Sequence, residues 1–409
     1  MHFKSITLRN FLSFGPEAEE IPLGKLNVLV GINGSGKSNL LEAFSVLKAL
    51  PRDLGGVIRE GGGAKNWIWR KGGGRFGEEL APYGCYITSE ISDTEHLVEN
   101  HWLNHEIILN DFENSIQVIH ESLDLQYTEH DPEGNKILSP LNLYYNDGDR
   151  QVIFGNNGGE GKRTRLKLQE SEIRASDSIL AQRKDSSNYP ELTKLAEFYA
   201  ESIFIYRDWS SGRNTITRKF QSSDLRKTWL QPDFSNLFLV LSTLQQNFKV
   251  KKELIEALKG LNPDINDFGV TIDGSYLHAY VVEGETDIPA VRLSDGTLRY
   301  LCLLAILLHP NPPSVVCIEE PELGLHPDII PQLAEHIKAA SKRCQLIVTT
   351  HSDLLINCFT DQPNAVVVCE RDEKGTHMQR LDAERLQPWL ERYRLGQLWM
   401  TGELGGTRW

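Results

Sequence analysis

One stretch limits the choice of folds more than any other: Gly31-Ile32-Asn33-Gly34-Ser35-Gly36-Lys37-Ser38. It satisfies the glycine-rich pattern ending in Lys-Ser. An apolar run from Lys25 to Val30 precedes it, and a helical pattern from about Lys37 to Leu50 follows, stopped by Pro51. Glycines let backbone N–H groups curl around phosphate oxygens, and a helix N-terminus favours negative charge. Lys37 is therefore expected to reach the β- and γ-phosphates of ATP, and the Ser38 hydroxyl to ligate Mg²⁺. Asn33, Gly34, Ser35, Gly36 and Asn39 complete the expected ATP-binding set. A loop of this kind needs a buried strand feeding a helix, the repeating unit of an α/β sheet.

The remainder of the chain shows where that sheet is interrupted. His2 to Arg9 alternates apolar and polar residues and reads as a strand. From about Tyr83 to Leu168 the pattern is strand-like, with turn signals at Asp131–Gly134 and Asn146–Gly148. From about Ser171 to Gly260 it turns helical, broken by a strand at Ile203–Tyr206. The tail regains an α/β rhythm, with strands at Val315–Ile318, Leu346–Val348 and Val366–Val368. A hairpin partner at Thr376–Arg380 and a helix over Ala383–Arg394 follow. The expected division is a first part of the head over 1–75, a β-rich insertion over 76–170, a helical insertion over 171–265, and the rest of the head over 266–409.

Three shorter motifs bear on chemistry. Val315-Val316-Cys317-Ile318 is an apolar strand that ends in Glu319 and Glu320, and open α/β sheets bind ligands at such strand ends. Glu319 is expected in the Mg²⁺ shell. Glu320 is expected to take the proton of the attacking water, which requires a carboxylate within one hydrogen bond. Leu293-Ser294-Asp295-Gly296-Thr297 stands directly before an apolar helix. With Ser294 as N-cap it reads either as a second anion site or simply as a helix cap. Val348-Thr349-Thr350-His351-Ser352 ends another buried strand, where His351 is placed to donate to a γ-phosphate or to serve structure alone.

Composition narrows the setting. The 409 residues, 40% hydrophobic, are enough for a substantial core, and the net charge of −13 speaks against non-specific coating of nucleic acid without excluding a local basic surface. No signal pattern and no apolar run long enough for a bilayer is present, and the six cysteines show no paired spacing. The expectation is a cytoplasmic protein with reduced thiols and no membrane partner. Lys65-Asn66-Trp67-Ile68-Trp69-Arg70-Lys71 interleaves aromatics with cations, and Lys162-Arg163-Thr164-Arg165-Leu166-Lys167 is a compact basic run. Either they touch nucleic acid or they are exposed segments with snorkelling stems, and the second reading is preferred.

Taken in order, these motifs resemble the ABC-type ATPase heads of the RecF, SMC and OLD proteins, and above all the stand-alone bacterial ATPases of that clan. Asn10-Phe11-Leu12-Ser13-Phe14, the phosphate loop, Leu293–Thr297, Glu319–Pro327 and Thr349–Ser352 carry the likeness. Tyr206–Trp209 with Gly212-Arg213-Asn214 adds to it more weakly. The resemblance implies an α/β fold: a P-loop ABC-ATPase head split in sequence, with an inserted antiparallel-β and helical region. It implies ATP and Mg²⁺ as ligands, Glu320 as catalytic base and His351 as switch histidine. It also implies a head-to-tail homodimer in which Ser294, Asp295 and Gly296 of one copy cover the nucleotide of the other, with Pro321–His326 crossing between copies. The signature reads LSDGT rather than LSGGQ, so transporter-style coupling is not implied, and Gln117 is not assigned as the glutamine that watches the metal. A Toprim-type nuclease domain, which would need about 100 residues, is not expected in the stretch after His351. The expected role is a nucleotide-dependent switch for a separate effector protein, a nuclease among the candidates, in antiphage defence or DNA maintenance. A RecF-like repair ATPase that itself binds DNA is the alternative.

Overall fold

The computed structural model describes residues 1–69, 84–93, 101–130, 136–147, 151–156, 163–168 and 173–405. Arg70 and Lys71, the turns at Asp131–Gly134 and Gly148, Lys162, and the terminal Gly406 and Trp409 lie outside these residues. The chain forms two compact units. The first comprises Met1–Gly24, Gly31–Ile203 and Val368–Arg380, and the second Lys25–Val30, Phe204–Val367 and Leu381–Trp409.

The first unit is built on an antiparallel sheet of eight strands. Their order across the sheet is Glu19–Pro22, His2–Arg9, Cys85–Ser92, His101–Phe112, Ser115–His130, Lys136–Asn146, Gln151–Asn156 and Arg163–Lys167. Strict alternation of buried and half-buried residues along Cys85–Ser92 shows one face turned to a core, as period-2 patterning requires. Glu113 and Asn114 both take positive φ (51° and 66°) and close the hairpin in which Phe112 faces Ser115. The helices Lys37–Ala49 and Pro190–Ser202 supply the other side of this core. The ring of Phe3 lies 5.1 Å from Phe44, 5.3 Å from Phe198 and 6.2 Å from Tyr199, and Phe3 is fully buried. Beside it runs a buried polar chain. His105 contacts Glu121 and Tyr199, Tyr199 contacts Ser89, and Glu121 accepts from Ser178 and from the amide of Ile179. Each of these polar groups has a partner, so their burial carries no unpaired-group penalty.

The second unit holds the parallel sheet that the phosphate loop called for. Ile203–Tyr206, Val315–Glu319, Gln345–Thr350 and Leu26–Val30 are successive neighbours, and the last three run parallel. Their residues are buried on both faces, which explains near-continuous apolar sequences without alternation. Asp295–Leu307 and Ile330–Ala340 are helices of this unit. All six cysteines are free and five are buried, in keeping with core filling.

Two regions depart from the sequence reading. Between Arg207 and Asn236, where a helical pattern is expected, there is only a 3-10 turn at Ile216–Arg218 and a two-residue strand. Side chains there compete for the backbone: Asn236 accepts from the amide of Gln231 and donates to the carbonyls of Arg226 and Trp229, and Asp233 accepts from the amide of Ser235. Residues 265–289, left unassigned in the α/β tail, form the antiparallel strands Ile265–Asp273, Tyr276–Glu283 and Thr286–Pro289, joined at Gly274 and Gly284 with φ of 58° and 59°. The last predicted helix ends early, as Ala383–Leu390, and a further helix, Leu395–Met400, follows it.

Phe3→Ala empties the centre of the first unit's aromatic cluster and is expected to cost about 3–5 kcal/mol. Urea denaturation should show it as a lower midpoint at unchanged slope. An unchanged midpoint would contradict the packing described.

Candidate functional site

In the first unit the phosphate loop is a shaped cradle. Gly34 and Gly36 have φ of +82° and +101°, a region costly for other residues. A Cβ at Gly34 would meet nothing, whereas one at Gly36 would come within 2.3 Å of Thr376 Oγ1 and 2.8 Å of Ser13 Oγ. Ser13 and Thr376 brace the loop from behind: Thr376 Oγ1 lies 2.7 Å from Ser13 Oγ and donates to the Ser35 carbonyl at 3.1 Å, and Asn39 Nδ2 donates to Ser13 Oγ at 2.6 Å. Lys37 is buried and donates to the carbonyls of Gly31 and Ile32 at 2.7 and 3.0 Å. Asn33, Gly34 and Ser38 are exposed. The helix Lys37–Ala49 begins with no side-chain cap and no acid in its first turn, so its amides and positive dipole end suit a polyphosphate.

In the second unit the predicted acids and the histidine come together. Register fixes their level: Glu319 faces Thr349, and Thr350 faces Val30, the residue from which the chain enters the phosphate loop. Glu320 Oε1 lies 2.8 Å from His351 Nε2, with both side chains partly exposed. Glu320 has φ of +46°, rare for a residue with a side chain. Several bonds hold it there. Its amide donates to the Thr349 carbonyl at 3.0 Å, and its carbonyl accepts from Arg299 Nη2 at 2.6 Å. The preceding carbonyl, of Glu319, accepts from Trp209 Nε1 at 2.7 Å, and the Arg299 guanidinium lies 4.5 Å from the Trp209 ring centre. Burial lowers Arg299 to about 10, still well above neutrality, with Glu322 and Glu320 opposing the shift. Glu322 accepts from Thr350 Oγ1, and burial raises its carboxyl above the usual range.

The signature motif lies in the same unit. Ser294 is the N-cap of Asp295–Leu307 and accepts from the Thr297 amide at 3.0 Å. The Asp295 carboxylate accepts from Arg218 and, at 3.1 Å, from the amide of Gly212, and the Arg218 bond holds it below the usual carboxylate range. Gly296 has no room for more, since a Cβ would lie 2.9 Å from the Gly324 carbonyl.

Sequence reasoning missed Ser13's role, Thr376, Arg218 and Arg299. Only Ser13 stood in a motif; the others arrive through long-range contacts that no local pattern announces. Within the aromatic-basic segment Trp67 is buried against Phe11 at 5.8 Å with its N–H on the Ile58 carbonyl, while Trp69 is half-buried. Arg165 and Lys167 are exposed. Arg213 is exposed next to Gly212, while Gln117 sits in a strand opposite Asn110.

Among known families, the model described as "AAA domain, putative AbiEii toxin, Type IV TA system" matches residues 26–84 and 149–357. No curated protein matches the chain. Among solved structures, an SMC head bound to the C-terminal winged-helix domain of ScpA aligns with a TM-score of 0.55 at 15% identity, covering 95% of this chain and 100% of that one. An SMC head with an extended coiled coil, bound to the C-terminal domain of ScpA from Pyrococcus furiosus, aligns at 0.53 and 13% identity, covering 95% and 98%. The fold is therefore a mixed α/β ATPase head with parallel and antiparallel sheets, as the motifs predicted. Among the described residues no helix is long and apolar enough to cross a membrane.

Trp209→Phe keeps the ring that stacks on Phe234 at 5.0 Å but removes the donor to Glu319. The expected loss is about 1–3 kcal/mol, read as a lower thermal midpoint. A midpoint equal to the wild type would mean that this bond does not hold the acid strand.

Proposed function

The chain belongs to the AAA-domain family whose model it matches, and on that basis we propose that it hydrolyses ATP as a head-to-tail dimer and switches a separate effector protein in antiphage defence or DNA maintenance. The observation that carries the reading is the Glu320–His351 pair at 2.8 Å, fixed at a strand end level with the strand that leads into the phosphate loop. The loop amides and Lys37 bind the β- and γ-phosphates, and Ser38 and Glu319 are the residues that would hold the metal. A Mg²⁺ ion held there would supply charge neutralisation for the phosphate oxygens. Glu320 takes a proton from water as its oxygen attacks the γ-phosphorus, the bond to the β–γ bridging oxygen breaks, and ADP and phosphate leave. His351 orients Glu320 and donates toward the γ-phosphate. Ser294, Asp295 and Gly296 close the nucleotide of the partner copy.

A separate effector agrees with the SMC heads above, each of which is bound to a domain of another protein. A RecF-like clamp gripping DNA has less support, since Trp67 is committed to the core. Binding to DNA that weakens steeply with salt would restore that alternative.

Glu320→Gln keeps shape but removes the base, so ATP should bind and persist, whereas Lys37→Ala should weaken nucleotide binding itself. Hydrolysis by Glu320→Gln at the wild-type rate would show that the base lies elsewhere. Ser294→Arg places a bulky cation in the trans contact and should spare ATP binding while abolishing turnover. Mixing Ser294→Arg with Lys37→Ala chains should restore part of the activity, because each mixed dimer keeps one site with both halves intact. Mixed dimers that form without any rescue would count against shared sites.

A further inference from the structure

We infer that Arg218 is a positioning residue for the trans signature, and that it is what allows an aspartate to stand in a motif meant to meet phosphate. The inference rests on the shared-site reading above. A carboxylate one residue from the N-cap of a helix that approaches a γ-phosphate poses an electrostatic problem, because like charges at short range oppose binding. Asp295 is that carboxylate, and Arg218 answers it directly. Its Nη2 donates to Asp295 Oδ1 at 2.5 Å, so the charge offered to the partner's nucleotide is that of a neutralised pair.

The same guanidinium sets the shape of the motif. Arg218 Nη1 donates to the carbonyls of Leu293 at 2.5 Å and Val291 at 3.2 Å, on the approach to the N-cap, and Nε donates to the Gly212 carbonyl at 3.0 Å. Gly212 returns its amide to both Asp295 oxygens. One side chain, only 9% exposed, thus ties the Gly212 loop, the approach to the helix and the first helical residue into a single piece. Lysine cannot replace it, because a point charge cannot reach three carbonyls and a carboxylate at once. Loss of Arg218 would leave Asp295 unpaired and the Leu293–Ser294 backbone free to shift, while the phosphate loop of the same copy stays intact. A defect in Arg218 should therefore be felt by the partner's nucleotide rather than by the chain's own.

Subunit mixing tests this. Arg218→Ala and Arg218→Gln are expected to bind ATP with little change and to lower kcat about tenfold to a hundredfold. Adding Asp295→Asn to Arg218→Ala should recover part of kcat by removing the orphaned charge. Arg218→Ala mixed with Lys37→Ala should regain activity, whereas mixed with Ser294→Arg it should not, since both chains then lack a working signature. If the Ser294→Arg and Lys37→Ala pair rescues but neither Arg218 variant does so with Lys37→Ala, Arg218 serves folding or its own site and the inference is overturned. If that control pair itself fails to rescue, shared sites are refuted and this inference falls with them.

Discussion

Parallel pairing of three buried strands is the constraint on which the chemistry depends. Val315–Glu319, Gln345–Thr350 and Leu26–Val30 run in one direction, so their carboxyl ends fall at one edge of the sheet. Register then decides which residues stand level: Glu319 against Thr349, and Thr350 against Val30. A slip of one residue would turn every side chain to the opposite face and carry the acids away from that edge. The apolar runs that make these strands fully buried therefore also fix the position of the polar residues that end them.

The turn at Glu320 shows how such an edge is made rigid. A positive φ in a non-glycine residue costs of order 1–3 kcal/mol and persists only where surrounding bonds over-determine it. Here the amide, the carbonyl and the preceding carbonyl are each engaged, by Thr349, Arg299 and Trp209. Arg299 belongs to the helix that begins with the signature, so the helix that would read one nucleotide also grips the residue that would act on another. That linkage ties the first turn of the helix to the turn at Glu320.

Legibility followed the range of the interactions. The strand-end positions of the phosphate loop, both acids and His351 could be read because each lies at the end of a contiguous apolar run, where the pattern itself marks the boundary. The strands at 265–289 were missed although Asp273-Gly274 and Glu283-Gly284 carry hairpin signals, because the α/β rhythm around them suggested continuation. The stretch before Asn236 was misread as helical because apolar spacing was weighed above the competition of Asp and Asn for the backbone. Thr376, Arg218 and Arg299 could not be found from spacing at all: Thr376 meets Ser13 across 363 positions and Arg218 meets Asp295 across 77.

The same long-range contacts resolve a conflict that composition sets up. A chain of net charge −13 places Glu319, Glu320, Glu322 and Asp295 in the unit expected to act on a polyphosphate, where uncompensated carboxylates would repel it. Three of the four are compensated, each by a different device. Glu320 contacts His351, Asp295 pairs with an arginine and accepts from a backbone amide, and Glu322 accepts from Thr350 Oγ1 while burial shifts its carboxyl upward. Glu319, at the end of its strand, is the carboxylate proposed above as metal ligand, for which negative charge would be required rather than tolerated. On that reading acidity in this unit is compatible with phosphate chemistry, because three of the carboxylates have contacts of their own and only the one proposed for the metal would need its charge exposed to the nucleotide.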